Sequence, residues 1–278
     1  ALSLSFVAQA ADPPRAVHPP GAAVASAHAL ASEAGMDMLR RGGNAFDAAV
    51  AVSAVLSVVE PISSGLGGGG FFLLHDAKTG KDIFIDAREI APAAATQAAY
   101  LDAKGEFNRD RATNGAWSAG IPGLPAGLVH LASNHGRLPL KTSLAPAIRI
   151  AREGFPVYAR LANGYAARRE VMERYKGTKG VFLADGDAPE EGEILLQPDL
   201  ARIAGGEGVR RFLSRAAREE AAGRREGRER ALDRRRTRRL PRARARADPV
   251  RVRRLGHRHC AAAVVRRRGA GADAADAG

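Results

Sequence analysis

The sequence has little of several residue types that mark particular protein classes. Cys260 is the only cysteine among 278 residues, which excludes an intramolecular disulfide framework and a multi-cysteine metal site. No run of about 18 apolar residues is present, so no membrane span is expected. The chain also has no G-x-S-x-G or H-E-x-x-H pattern, and its histidines lack metal-ligand spacing. These absences exclude the common serine-hydrolase and zinc-hydrolase signatures.

The net charge of +13 comes from the C-terminal quarter of the chain. Residues 1–205 carry 20 Lys and Arg against 21 Asp and Glu, whereas residues 206–278 carry 23 Arg, no Lys and 9 acidic residues. Only ten of those last 73 residues are Val, Leu or Phe, a level typical of disordered segments. We therefore expect a nearly neutral globular body and a disordered Arg-rich tail over residues 205–278.

The first twenty residues resemble the end of a secretory signal. An apolar stretch leads to Ala8, Gln9 and Ala10, which form an A-x-A cleavage pattern, and a proline-rich linker follows to Pro20. An ordinary apolar N-terminus is the alternative. We predict that residues 1–20 are a signal-peptide remnant and linker, and that the intact protein is periplasmic or secreted.

Hydrophobic periodicity predicts a body with both helices and strands. Residues 21–27 are typical of a short buried strand, and helices are expected over residues 28–41 and 44–59, the second capped by Asn44. Two strand-like runs flank a turn at residues 76–81 and predict a β-hairpin. Three further helices are expected, over residues 124–134, 144–153 and 158–174. The fold class is therefore α+β.

A glycine-rich segment over residues 63–70, called the glycine loop below, connects the second helix to the hairpin. Its residues 65–70 fit G-x-G-x-x-G, but a helix precedes them and a strand follows. A dinucleotide-binding fingerprint has the opposite order, so this loop does not predict a nucleotide site. Four consecutive glycines indicate either a very close backbone approach or a flexible loop.

Arg88 stands at the expected end of the second hairpin strand, four residues before Pro92. Its planar guanidinium could bind a carboxylate through two parallel hydrogen bonds. A surface ion pair is the alternative interpretation.

Together these segments resemble the large subunit of the gamma-glutamyltranspeptidase (glutathione hydrolase) family. The resemblance covers roughly residues 20–204. It rests on four stretches in family order: residues 42–51 (GGNAFDAAVA), 60–74 (EPISSGLGGGGFFLL), 86–92 (DAREIAP) and 119–127 (AGIPGLPAG).

The resemblance implies an N-terminal-nucleophile hydrolase with an αββα sandwich, of which residues 21–204 would be an incomplete, large-subunit portion. Family members cleave the γ-glutamyl amide of glutathione and related compounds through a Thr acyl-enzyme, and transfer the glutamyl group to water or an amine. The resemblance assigns Arg88 to the substrate α-carboxylate, with Glu89 supporting it. The glycine loop is then interpreted as close-packing backbone, with these supporting residues: Ser63, Ser64, Gly67, Gly68, Gly69 and Gly70.

The resemblance implies neither a metal nor an organic cofactor, and neither a nucleic-acid nor a membrane partner. The expected partner is the small subunit of the same precursor, which would carry the Thr nucleophile. No catalytic residue is therefore assigned within these 278 residues, and we predict that this chain alone is inactive.

The Arg-rich tail has the composition of a GC-rich message translated in the wrong frame. With suitable codons, residues 255–267 become WDIVIAPPPSSGG when translation starts one nucleotide later, and residues 212–218 become FYRGPLA in the same frame. Both resemble the family. We therefore hypothesise a one-nucleotide insertion or deletion near codons 201–211. The alternative is a non-catalytic product, either degraded or binding nucleic acid through its basic tail.

Overall fold

Two helices begin the described part of the chain, which in this computed structural model comprises residues 21–92, 95–183 and 186–204 and the backbone of 251–255. Helix α1, Ala29–Arg40, is capped by His28, whose Nδ1 accepts a hydrogen bond from the Leu30 N–H. Helix α2, Ala45–Val59, is rich in Ala and Val and is buried on most sides. Both helices start and end close to the positions that the sequence predicts.

Asp47 joins the start of α2 to a distant part of the chain. Its side chain is fully buried and completes a capping box with Asn44, which donates its backbone N–H to Asp47 Oδ2 at 2.8 Å. The backbone N–H groups of Arg137 and Leu138 also donate to this carboxylate, at 3.0 and 3.1 Å. A helix N-terminus favours negative charge, so the buried carboxylate is well compensated.

The hairpin follows the glycine loop. Strand β1, Gly70–Asp76, pairs antiparallel with strand β2, Lys81–Ala87, so that Gly70 faces Ala87 and Asp76 faces Lys81. Leu74, Ile85 and Ala87 are buried on one face, whereas Phe71 and Leu73 are exposed on the other. This alternation gives the hairpin one face toward the helical core.

The described body has six further α-helices: α3, Arg109–Thr113; α4, Leu124–His135; α5, Leu140–Glu153; α6, Ala159–Glu173; α7, Lys176–Phe182; and α8, Pro198–Ala204. Two short 3₁₀ helices, Gln97–Tyr100 and Ala116–Ser118, flank α3. Strand β3, Phe155–Pro156, pairs with strand β4, Ile194–Leu195. Helix α4 packs on the inner face of the hairpin, where Gly127 lies against Ala87 and Phe72. The architecture is mixed helix and strand, as expected.

Two segments differ from the sequence prediction. Residues 21–27 form no strand, because the described residues offer them no strand partner; Val24 instead packs against Gly35 of α1. In the tail predicted to be disordered, strand β5, Arg251–Leu255, pairs antiparallel with β2. The free edge of β2 explains this pairing, since an open strand edge offers unpaired backbone groups.

The rest of the tail, residues 205–250 and 256–278, lies outside the described residues, as does the expected signal remnant at 1–20. Those predictions stay untested. Within the described ranges, no helix is both long enough and apolar enough to cross a lipid bilayer.

Replacing Asp47 with Asn tests its role in joining α2 to residues 137–138. The amide would replace one acceptor oxygen with a donor that faces backbone N–H groups, so we expect the free energy of unfolding to fall by about 2–3 kcal/mol. Asp37→Asn is the matched control, since it removes an exposed α1 ion pair with Arg41 worth about 0.5 kcal/mol or less. Equal urea-unfolding midpoints for the two variants would contradict this role.

Candidate functional site

Arg88 lies immediately after β2 and is held in place by its neighbours. Its backbone N–H donates to Asp86 Oδ1 at 3.1 Å, and its Nε donates to Glu89 Oε2 at 2.8 Å. The guanidinium carbon lies 5.6 Å from the centre of the Phe71 ring, a cation–π contact. These contacts come from adjacent residues and from the paired strand, so the hairpin itself fixes the direction of the guanidinium.

The outer edge of the guanidinium is available for a ligand. The Arg88 side chain is 59% exposed, and no described residue forms a hydrogen bond with its Nη1 or Nη2. Two Nη groups side by side match the two oxygens of a carboxylate. Arg88 can therefore bind a small carboxylate while its Nε remains bonded to Glu89.

Glu89 remains ionised at neutral pH. Its own backbone N–H and the Arg88 side chain lower the pKa of this carboxyl group below its ordinary value. The pair is partly exposed, so it contributes little to stability. Its consequence is orientation, because the ionised carboxylate restrains the Arg88 side chain.

The glycine loop crosses the end of β2 at Gly69. A Cβ atom on Gly69 would lie 2.6 Å from the Ala87 carbonyl oxygen and 2.6 Å from the Glu89 nitrogen. At Gly68 the nearest atom would be Glu89 Oε1 at 3.4 Å, whereas Gly67 and Gly70 would meet nothing within 4 Å. The close approach expected for the loop is thus located at Gly69.

A second glycine-rich segment contacts the same strand end. The Gly68 carbonyl accepts hydrogen bonds from the N–H groups of Gly123 and Leu124, at 3.1 and 3.0 Å. A Cβ on Gly123 would collide with the Ala87 carbonyl, and one on Gly120 would lie 2.8 Å from Glu89 Cβ. No role is predicted from the sequence for Gly120 or Gly123. The signal that could have pointed to them is the G-x-x-G spacing of residues 120–123.

Ser63 and Ser64 lie at the start of the glycine loop, and no described contact joins them to Arg88 or Glu89. Their backbone N–H groups donate to the Glu60 carbonyl at 2.9 and 2.7 Å. Ser63 Oγ lies 3.3 Å from Arg160 Nη2. The structure therefore separates the predicted residues into a strand-end group around Arg88 and a loop-start group around Glu60.

Within the described ranges, no group of three or more His, Cys, Asp or Glu side chains is placed to hold a metal ion. The chemistry available at the strand end is a partly exposed guanidinium beside an ionised carboxylate. This arrangement can bind and orient an anionic group.

Gly69→Ala should destabilise the protein, because its new methyl group would lie against backbone atoms that cannot rotate away. We expect a loss of about 2 kcal/mol in the free energy of unfolding. Gly67→Ala is the matched control from the same loop, and it should change stability by less than about 0.5 kcal/mol. Urea unfolding measures both, and a neutral Gly69→Ala variant would refute the close approach.

Comparisons with known proteins all match the body of the chain to the same family. The family model for gamma-glutamyltranspeptidase matches residues 31–205, which is more than half of the chain and ends where the basic tail begins. The chain is 43% identical over 182 residues to a glutathione hydrolase proenzyme of Bacillus subtilis, covering 64% of this chain and 30% of the relative. The corresponding Escherichia coli proenzyme is 38% identical over 180 residues, covering 64% and 31%.

Solved structures show the same relationship. The gamma-glutamyltranspeptidase of Helicobacter pylori matches with a TM-score of 0.64 and 33% identity, covering 72% of this chain and 60% of that one. The enzyme of Pseudomonas nitroreducens, complexed with L-DON, matches with a TM-score of 0.61 and 35% identity, covering 69% and 55%. The chain spans about 30% of the length of the curated relatives described here. It belongs to the gamma-glutamyltranspeptidase family.

Proposed function

We propose that this chain supplies the large-subunit part of a gamma-glutamyltransferase and glutathione hydrolase, in which Arg88 binds the α-carboxylate of the γ-glutamyl group. The observation that carries the proposal is the guanidinium at the end of β2, whose Nε is bonded to Glu89 while both Nη groups have no described partner. Family membership supplies the substrate class.

In this proposal the small subunit of the same precursor contributes the nucleophile. Its Thr hydroxyl attacks the γ-carbonyl carbon, the amine leaves with a proton, and the resulting acyl-enzyme gives the glutamyl group to water or to an acceptor amine. Arg88 holds the far end of the glutamyl group throughout. Because an oriented substrate reaches the reacting geometry more often, this restraint accelerates the acyl transfer without direct contact with the reacting bond.

The proposal includes export of the intact protein to the periplasm or the exterior, and its synthesis as a precursor. The A-x-A pattern at residues 8–10 supports export. The Bacillus subtilis and Escherichia coli relatives are named proenzymes, which supports a precursor that matures by cleavage.

The tail beyond residue 205 is proposed to be an out-of-frame translation that carries no function. The family match ends at residue 205, and the Arg content rises directly after it. The gene sequence tests this proposal. We expect the frame one nucleotide later to encode the PPPSSGG stretch opposite residues 261–267, and a gene lacking that reading would refute the frame shift.

Replacement of Arg88 tests the carboxylate-binding role. Residues 21–204 of this chain replace the matching segment of the Bacillus subtilis proenzyme. The hydrolysis of γ-glutamyl-p-nitroanilide by this chimeric enzyme is then measured. We expect Arg88→Ala to lower kcat/KM about 100-fold, because a charged partner of the substrate is lost. Arg88→Lys should recover only part of this loss, since Lys lacks the planar fork.

The matched control is Arg41→Ala, because Arg41 also bonds a neighbouring carboxylate through Nε, but at the end of α1. It should leave kcat/KM unchanged. The free 278-residue chain is the blank and should show no hydrolysis. Wild-type kcat/KM in Arg88→Ala, or turnover by the free chain, would contradict the proposal.

A further inference from the structure

Glu60 is a buried carboxylate outside the strand-end site. It directly follows α2 and is only 3% exposed. The Tyr158 hydroxyl donates a hydrogen bond to Oε1, while Oε2 has no hydrogen-bond donor among the described residues and lies 3.7 Å from Arg160 Nη1. A buried charge with incomplete pairing costs stability, so its presence calls for a physical reason.

The start of helix α6 lies against this carboxylate. Tyr158 is the N-cap residue of α6, and Arg160 lies in its first turn. One turn further along, Gly164 lies against Ile62, so that a Cβ at residue 164 would be 2.8 Å from Ile62 Cδ1. Burial and the Glu60 carboxylate both raise the pKa of Tyr158, which therefore keeps its proton and remains a donor.

Glu60 is connected to the start of the glycine loop through both its backbone and its side chain. Its carbonyl oxygen accepts the N–H groups of Ser63 and Ser64. Arg160 extends from the Glu60 carboxylate to Ser63 Oγ, with Nη1 facing the carboxylate and Nη2 facing the hydroxyl. The turn over residues 60–64 is thus held between the end of α2 and the start of α6.

The other end of the glycine loop, residues 67–70, contacts the backbone around Arg88. Residues 67–70 are all glycine and have no side chains with which to anchor themselves. Gly68 is held through its carbonyl by Gly123 and Leu124, and Gly69 touches Ala87–Glu89. Between the two ends, Leu66 packs against the hydrophobic core, and the Gly68 N–H donates to the Gly65 carbonyl at 3.0 Å. A shift at residues 60–64 is therefore transmitted through a short, restrained segment to the backbone beside Arg88.

We propose that Glu60 is a positioning residue: its carboxylate, held between Tyr158 and Arg160, fixes the start of the glycine loop and thereby the placement of Gly69 against the backbone of Arg88. The placement of the loop does not depend on the role of Arg88. Its effect on activity rests on the proposed function of Arg88.

Hydrogen–deuterium exchange on the full 278-residue chain tests the placement. Glu60→Gln keeps the shape of the side chain but puts an uncharged amide beside Arg160. We expect amide exchange in residues 63–70 and 88–90 to become about tenfold faster, with α1 and α4 unchanged. Glu33→Gln, which neutralises an exposed carboxylate on α1, is the control and should change neither region.

Tyr158→Phe provides a second variant if Glu60→Gln does not fold. It removes one hydroxyl and keeps the ring, and exchange in residues 63–70 should become about threefold faster. A uniform increase over the whole chain would assign Glu60 to general stability and overturn the proposal. Unchanged exchange in residues 63–70 would overturn it as well.

A double-mutant cycle in the chimeric Bacillus subtilis enzyme, which carries residues 21–204 of this chain, distinguishes the positioning role of Glu60 from the proposed function of Arg88. Glu60→Gln should lower kcat/KM about tenfold when Arg88 is present, and by much less in the Arg88→Ala background. Faster exchange combined with full activity of Arg88→Ala would leave the placement intact and refute the proposed function. Additive losses would show that Glu60 does not act through Arg88.

Discussion

The crossing of Gly69 over the end of β2 is the contact on which the site depends. Two backbone segments meet there with no room for a side chain, so the glycine loop and residues 87–89 must move as one unit. Gly123 brings the start of α4 to the same strand end. Three segments distant in sequence are thereby packed through their backbones, and Arg88 projects from the place where they meet.

Because the segments at the strand end pack through their backbones, the orientation of the Arg88 side chain depends on electrostatic contacts. At the strand end the nearby glycines supply no functional groups, and the Arg88 side chain is directed by Glu89 and by the Phe71 ring. Such a partly exposed ion pair has a small effect on stability. In the proposed binding role of Arg88, the ion pair reduces the number of Arg88 conformations before the ligand arrives, which lowers the entropic cost of binding.

Local interactions made part of this structure predictable from the sequence. Asn44 is a favoured N-cap residue, so the start of α2 was predictable from the sequence, and the hairpin was predictable from two apolar runs around a turn. The critical glycine could not be identified in this way. Gly67 and Gly69 are equivalent in the printed sequence, and only the packing of Gly69 against a strand eighteen residues later distinguishes them. The pairing of β5 with β2 was also hidden, because the tail composition resembles that of a disordered segment.

The two buried carboxylates at the ends of α2, Asp47 and Glu60, show how one helix serves both the fold and the site. Asp47, near its start, accepts hydrogen bonds from three backbone N–H groups, so its charge is compensated by parts of the chain that are already ordered. Glu60, after its end, has one tyrosine donor and an arginine slightly too distant to hydrogen-bond. A fully satisfied carboxylate tolerates little displacement, whereas Glu60 is held by Tyr158, the N-cap of α6, and by Arg160, which also contacts Ser63 at the start of the loop. The position of the glycine loop therefore depends on how α6 packs against the end of α2, which links the helical core to the backbone beneath Arg88.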